Sequence, residues 1–562
     1  MEKKKDVLMP GCCFLFAALT FAFFAPMEVI LLNRSDFHYS FESFWWFQLL
    51  LTLGAAGVAT LITMVLPRKA GTALAALALG IGTAAWAQMM FMNGKMGRLG
   101  MEEMEVSPAE TVINLVIWFG IAAAIFIAAL VLEKKGKKVR TWMGAMAGVL
   151  TAVQLVAFIS LLFTSSAGGT EDGHGFTKEG EFEFSKGTNA VVILMDAADG
   201  EIVREMMESY PEVEGQLNGW VYYPNAVSEY SRTYPALTYL LTGERTYVNH
   251  PQKECVDTAF AESDFLQKMY DGGTDIRVYT MDTSDISTSA DGMISNTRKE
   301  ENRFDELNLP GLEKGLARIS LFKCLPYALK DKVAYDVAVL NLTAFKNWDY
   351  VWKDPYVYRD LKEKGKFETT DRYRKAFRFY HLWSAHEFAE WDEKLEIIRT
   401  SNEVEPYKRL RGSFLLLEAY CEKMKEAGIY DDALIIVVAD HGDTGGDPEK
   451  LARNKAACPL LMVKYPGANE AEPLRTSRAP VSQEDLFATI TDALDVSRPK
   501  GGSGRTLQEI AEGETRDRLH YYLALDSHFK GALLREYVIR GDAEDFANWE
   551  ETGKIWDEGI EW

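Results

Sequence analysis

Two aspartates in this chain each end an unbroken apolar run. Asn189-Ala-Val-Val-Ile-Leu-Met195 stops at Asp196, and Ala433-Leu-Ile-Ile-Val-Val-Ala439 stops at Asp440, followed at once by His441 and Gly442. Apolar runs rich in β-branched residues suit strands buried on both faces of a parallel sheet. Ligands of such sheets bind beyond the carboxyl ends of the strands. Two carboxylates and a neutral imidazole meeting there suit one divalent cation, zinc, manganese or magnesium. A lone strand-end aspartate is also a common turn residue and helix cap, so the Asp440–His441 pair is the more specific signal.

Between these runs lies a hydroxyl that could act as a nucleophile. Ser231-Arg-Thr233-Tyr-Pro235-Ala-Leu-Thr-Tyr-Leu-Leu241-Thr-Gly243 reads as a loop entering a helix, with Pro235 in the first turn and Leu237, Leu240 and Leu241 as its apolar stripe. Thr233 then stands at the helix N-terminus. There, unpaired N–H groups and the dipole favour a bound anion and a deprotonated hydroxyl. A plain threonine cap fits the same position.

These residues need a scaffold that brings distant segments together. From Thr188 on, apolar runs alternate with helical patterns, and Ile276–Thr280 reads as a further short strand. Alternation of this kind implies an α/β domain with a mostly parallel central sheet flanked by helices. Tyr521–Leu525 and Glu536–Arg540 read as strands at the edge of that sheet.

Together, the three segments resemble the alkaline phosphatase/sulfatase superfamily. Its first strand ends in an acidic metal ligand, as at Asp196, and its nucleophile opens a helix that closes on Leu-Thr-Gly, as from Thr233 to Gly243. A later strand ends in Asp-His-Gly, as at Asp440-His441-Gly442. The resemblance spans roughly residues 188 to 494. It implies one divalent metal held by Asp196, Thr233, Asp440 and His441, with Thr233 the catalytic nucleophile. It also implies a substrate-contacting histidine in Phe379-Tyr-His381-Leu-Trp-Ser-Ala-His386, where His386 matches better than His381 and a structural histidine is the alternative. The layout is closest to lipoteichoic acid synthases and phosphoethanolamine transferases, although those transferases carry Glu where this chain has Asp196. Lys464, at the end of an apolar run, reads either as an anion contact or as an ordinary strand-end charge.

The first part of the chain is built differently. Five apolar stretches, Val7–Leu32, Phe47–Leu66, Ala70–Met92, Val112–Leu132 and Met143–Phe163, each approach or exceed the roughly 20 residues a membrane-crossing helix needs. Lysine and arginine cluster in alternate loops, at Lys3–Lys5, Arg68–Lys69 and Lys134–Arg140. The positive-inside rule therefore places the N-terminus in the cytoplasm and the rest of the chain, beyond Phe163, outside the plasma membrane. Glu28, near the outer end of the first stretch, reads as a lipid-headgroup or substrate contact, or as an acid snorkelling to the outer interface.

The expected organisation is a five-helix membrane domain over 1–165, a Gly/Ser/Thr-rich linker over 166–187 and an extracytoplasmic catalytic domain over 188–562. Of the net charge of −21, residues 1–165 hold +3 and the remainder −24. So acidic a domain repels polyanions and shows no basic patch, which argues against a nucleic-acid partner. No protein partner can be inferred. Cys255, Cys324, Cys421 and Cys458 show no CxxC spacing, and whether any pair as disulfides stays open.

The expected activity is hydrolysis or transfer of a phosphate ester, the substrate being lipid-linked or otherwise in the cell envelope. A sulfatase of this superfamily needs a formylglycine, and oxidising a threonine would give a ketone instead. A sulfuric ester hydrolase and a non-catalytic membrane sensor that keeps the fold are the alternatives.

Overall fold

The computed structural model describes residues 2–34, 37, 39–94, 106–135, 138–166, 174–246, 252–299, 304, 307–335, 337–346, 350, 352–386, 389, 391–398, 404–442, 458–525 and 532–557. The chain divides into two units, Met1–Gly173 with Lys299–Asp349, and His174–Arg298 with Tyr350–Trp562.

In the first unit, five helices take the five apolar stretches: Pro10–Leu32, Phe41–Val65, Arg68–Met92, Pro108–Lys134 and Val139–Thr164. All are long and apolar enough to cross a membrane. A Cβ at Gly80 would meet the Ala122 backbone, so the third and fourth spans touch at the close range that small residues permit. Two polar side chains inside the spans find partners there. Gln154 Nε2 lies 3.0 Å from Thr20 Oγ1, and Gln48 Nε2 donates to the Ala22 carbonyl at 2.8 Å.

Lys299–Asp349, read from the sequence as part of the catalytic domain, packs with these helices instead. Its main helix, Leu309–Cys324, carries too much charge and too few residues to read as a span, so nothing in its composition sets it apart from a globular helix. The Glu28 carboxylate pairs with Lys323 Nζ at 2.7 Å.

The second unit is built on a seven-stranded sheet of order β11-β4-β10-β9-β3-β8-β5. Its strands are β3 (Thr188–Met195), β4 (Val221–Tyr222), β5 (Thr274–Tyr279), β8 (Lys375–Leu382), β9 (Leu434–Val438), β10 (Leu461–Lys464) and β11 (Arg475–Thr476). β3 runs parallel to both β9 and β8, and β5 parallel to β8; β10 runs antiparallel to its two neighbours. The sheet is thus mostly parallel, as the unbroken apolar runs imply. Val191 to Met195 and Leu434 to Val438 are buried throughout.

Structure begins earlier than the linker reading allows. β1 (His174–Phe176) pairs with β6 (Thr297–Lys299), and β2 (Glu183–Ser185) pairs with β7 (Glu368–Thr370). The physical reason is the alternation Phe182-Glu183-Phe184. Both rings stack on Phe367, with centroids 5.2 and 5.1 Å away.

The C-terminal strands β12 (Arg518–Leu525), β13 (Ala532–Ile539) and β14 (Trp549–Asp557) do not extend the main sheet; they form a separate antiparallel one. β12 grips the chain ahead of Thr233. Tyr521 N–H donates to the Glu229 carbonyl at 2.7 Å, and Ser231 N–H donates to the Tyr521 carbonyl at 3.2 Å. Among the described residues no disulfide is formed.

Candidate metal centre and nucleophile

Three adjacent parallel strands deliver the site. Leu194 is in register with Val438 on one side and His381 on the other. Asp196 therefore emerges beside Asp440–His441 at the carboxyl ends of these central strands, with His381 on its far flank. Sequence separation is erased by strand pairing.

Asp196, Asp440 and His441 are all buried, and one ligand atom from each lies within 4.8 Å of the other two. His441 Nε2 stands 3.4 Å from Asp440 Oδ2, 3.7 Å from Asp196 Oδ1 and 3.1 Å from Thr233 Oγ1. Thr233 Oγ1 is also 3.5 Å from Asp196 Oδ2. Ligands roughly 2.1 Å from a tetrahedral ion stand about 3.4 Å apart, so these separations match the edges of such a shell. Two of the buried oxygens, Asp196 Oδ1 and Asp440 Oδ2, have no hydrogen-bond partner among the described residues. Buried carboxylate oxygens are costly without one, and a cation satisfies both. The residues fit the metal.

Local structure aims each donor. His441 Nδ1 donates to the Gly442 carbonyl at 2.5 Å, which leaves Nε2 as the lone pair facing the cluster. Ala197 adopts a left-handed φ of 56°, a conformation that costs a non-glycine residue energy. In it, the Ala197 N–H reaches Asp440 Oδ1 at 3.2 Å and ties the two strand ends together.

The helix runs Thr233–Thr242, with Arg232 in the capping position and Gly243 closing it at φ 76°. Thr233 is therefore the first helical residue and not the cap. Its hydroxyl points at the acids and at His441.

His381 is the site residue that sequence reasoning underweights. It is fully enclosed, with Nε2 3.6 Å from Asp196 Oδ2 and Nδ1 3.3 Å from Asp282 Oδ2 and 3.0 Å from Thr280 Oγ1. Burial favours its neutral ring. The close Asp196 carboxylate and the charges of Asp282 and Asp440 outweigh that and raise it to about 9. Burial likewise pushes Asp196 up, but the charges of His386, His381 and His441 bring it down to about 2. Burial and the Asp196 charge push Asp440 up. The available signal was the strand-end grammar itself: Ala376-Phe-Arg-Phe-Tyr-His381 is another such run, masked by the buried Arg378.

His386 is half-buried in the loop after β8, its carbonyl accepting from Arg409 at 2.9 Å. Asp354 fixes that loop, its carboxylate accepting from Trp383 N–H at 2.9 Å, Ser384 N–H at 3.2 Å and the Ser413 hydroxyl at 2.7 Å. Glu387 and Phe388 lie outside the described residues. Lys464 contributes nothing to the cluster. It caps backbone carbonyls at Tyr430, Asp431 and Ala433, at the start of β9.

No family model matches the chain, and no curated protein does. Among solved structures, it is similar to a protein in the alkaline phosphatase superfamily from Vibrio parahaemolyticus, 13% identical with TM-score 0.35, over 67% of this chain and 83% of that one. It is also similar to the phosphonate monoester hydrolase SpPMH from Silicibacter pomeroyi, 16% identical with TM-score 0.36, over 66% and 89%. The C-terminal periplasmic domain of EcEptC from Escherichia coli is 13% identical with TM-score 0.34, over 61% and 91%. Likenesses at this level leave the assignment of activity to the chain's own residues.

Proposed function

We infer that the protein is a membrane-anchored, metal-dependent phosphoric ester hydrolase or phosphoryl-group transferase of the alkaline phosphatase/sulfatase kind, with Thr233 as nucleophile. The observation that carries this reading is the Thr233 hydroxyl at a helix start, 3.1 Å from His441 Nε2 and 3.5 Å from Asp196 Oδ2. A threonine serving only as a cap would turn that oxygen toward its own helix.

Asp196, Thr233, Asp440 and His441 would hold one divalent cation, which would lower the hydroxyl's pKa and offset charge on the phosphoryl oxygens. Thr233 Oγ attacks phosphorus in line. The hydroxyl gives up its proton to water, the Oγ–P bond forms as the ester P–O bond breaks, and the departing oxygen takes a proton. His386, at the loop after β8, is the group assigned to contact the substrate and supply that proton. Water or an acceptor alcohol then displaces Thr233 from phosphorus, completing hydrolysis or transfer. His381 lies behind Asp196 and stabilises its charge. A sulfatase reading finds no support in a threonine, for the chemical reason given above.

The five spans and the basic loops support an N-terminus in the cytoplasm and a catalytic unit outside, acting on outer-leaflet or envelope-linked substrates. The deciding experiment is peptide mass mapping after acid quench of the full-length protein with a chromogenic phosphodiester. Phosphate on Thr233 is the expected result. A turning-over enzyme with no adduct at Thr233, and full activity in Thr233→Ala, would reject the assignment.

A further inference from the structure

The helix Leu309–Cys324 ends among residues that belong inside the membrane. Cys324 clusters with Ala25 and Ala85, each seven residues before the end of its span at Leu32 or Met92. At 1.5 Å per residue that is about 10 Å below the span ends. Five alternating spans put the Leu32, Met92 and Thr164 ends on one side of the bilayer, so the helix dips into the leaflet on that side.

Its terminus is finished for an environment without water. The last carbonyls of a helix have no partner within it and normally turn to solvent. Here the Phe322 carbonyl takes Lys330 Nζ, the Lys323 carbonyl takes Asn93 Nδ2 at 2.9 Å, and the Cys324 carbonyl takes Trp118 Nε1 at 3.0 Å. Tyr327 N–H, next beyond, finds Asn114 Oδ1 at 2.9 Å. Two of these capping residues lie in spans, and Asn93 directly follows one. Satisfying every backbone group from within is what hydrocarbon demands and water does not.

The outer face of the helix is equally specific. Leu312, Leu316, Ile319 and Cys324 turn inward, while Lys314, Ala317, Arg318 and Leu321 line one exposed stripe. Counting back from Cys324, Leu321, Arg318 and Lys314 lie about 5, 9 and 15 Å up the axis. The deep position is apolar and the shallow ones are basic, the order in which acyl chain and phosphate headgroup occur. The surface is continuous with the lipid-facing spans, for Phe304 packs on Trp46 at 4.8 Å and on Phe47 at 5.5 Å. Trp46 itself stays 42% exposed, as an interfacial tryptophan does.

We propose that Lys299–Asp349 is a re-entrant membrane element inserted in the catalytic sequence. The stripe on Leu309–Cys324 binds lipid of the adjacent leaflet, with Leu321 against acyl chains and Arg318 and Lys314 on anionic headgroup phosphates.

The test is spin-label accessibility in the full-length protein, its native cysteines replaced, reconstituted in phosphatidylcholine vesicles with and without phosphatidylglycerol. A label at Leu321→Cys should collide more with oxygen than with a water-soluble nickel chelate. A label at Ile555→Cys, on the exposed surface of β14, should show the reverse. With phosphatidylglycerol the Leu321 label should move deeper by a measurable increment in the oxygen-to-nickel ratio, and Lys314→Glu with Arg318→Glu should abolish that increment. Nickel access at Leu321 equal to that at Ile555 would overturn the insertion. Protection from both reagents would overturn it in favour of a protein neighbour, such as a second copy. Insertion with no response to anionic lipid would overturn the headgroup assignment.

Discussion

Gln483 joins Asp440 to the chain that leads into Thr233. Its Nε2 donates to the carbonyls of Ala439 and Asp440 at 2.9 and 2.8 Å, while its Oε1 accepts from Glu229 N–H at 2.9 Å. The residue is buried, so none of these bonds can be exchanged for water. Gln483→Ala should cost about 1–3 kcal/mol of stability through the unpaired backbone groups it leaves. It should also weaken metal binding by roughly 10–100-fold, as loss of a supporting contact around a metal ligand does. Calorimetric metal titration beside a denaturant melt separates the two effects.

Metal removal tests the cluster directly. Chelation should lower the melting temperature of the purified protein, because the buried carboxylates of Asp196 and Asp440 then lose the cation they would share. Asp196→Asn should reduce bound metal far below one equivalent while blunting the thermal response to chelator. Elemental analysis of the detergent-purified protein reads the first, and a thermal shift with and without chelator reads the second.

Thr233→Ala should lower turnover on the order of a thousandfold or more, since no other hydroxyl is assigned to attack phosphorus. The fold should survive, because Arg232 holds the capping position. Thr233→Ser should keep a measurable fraction of the rate, the oxygen being retained. Initial rates on a chromogenic phosphodiester, with circular dichroism as the folding control, decide it.

His520 sets a pH dependence of stability. It is buried on β12, its Nδ1 donating to the Ser228 carbonyl at 2.8 Å, and burial pushes it down to about 4 from an ordinary 6.5. Between those values the unfolded chain binds the proton that the folded chain refuses. The contribution of His520 is therefore complete above about pH 6.5 and falls as the pH drops toward 4, by on the order of 3 kcal/mol. His520→Gln should lower stability at neutral pH and flatten this acid limb. Denaturant midpoints at pH 7.5, 6 and 5 check it.

A fragment running from His174 to Trp562 should aggregate without detergent, because it would expose Leu312, Leu316, Ile319 and Cys324, which are buried among the membrane helices. Replacing Lys299–Asp349 by a flexible Gly/Ser linker should restore a monodisperse species in size-exclusion chromatography.

Much of the site was legible because its donors end buried parallel strands, which are continuously apolar and hence conspicuous. Asp196, Asp440 and His441 stood out at strand ends and were singled out as ligands by the resemblance, and the helix from Thr233 was read from its Pro235, leucine stripe and Gly243. What escaped depends on pairing across long stretches of chain. His381 reaches Asp196 only through the β3–β8 register, and Gln483 reaches Asp440 only through the segment that parallels Val227. The helix Leu309–Cys324 escaped for a different reason. A sixteen-residue amphipathic pattern looks the same whether its apolar side meets a protein core or membrane helices.

The register Thr188↔Lys375 has a consequence for biosynthesis. Once the ribosome has released β3, one of its flanks stays unpaired until β8 emerges 187 residues later, and the other until β9 follows. In that interval an apolar strand waits with two open edges, the kind of segment that aggregates if left alone. Translation pauses and chaperone traffic therefore bear on the yield of this protein.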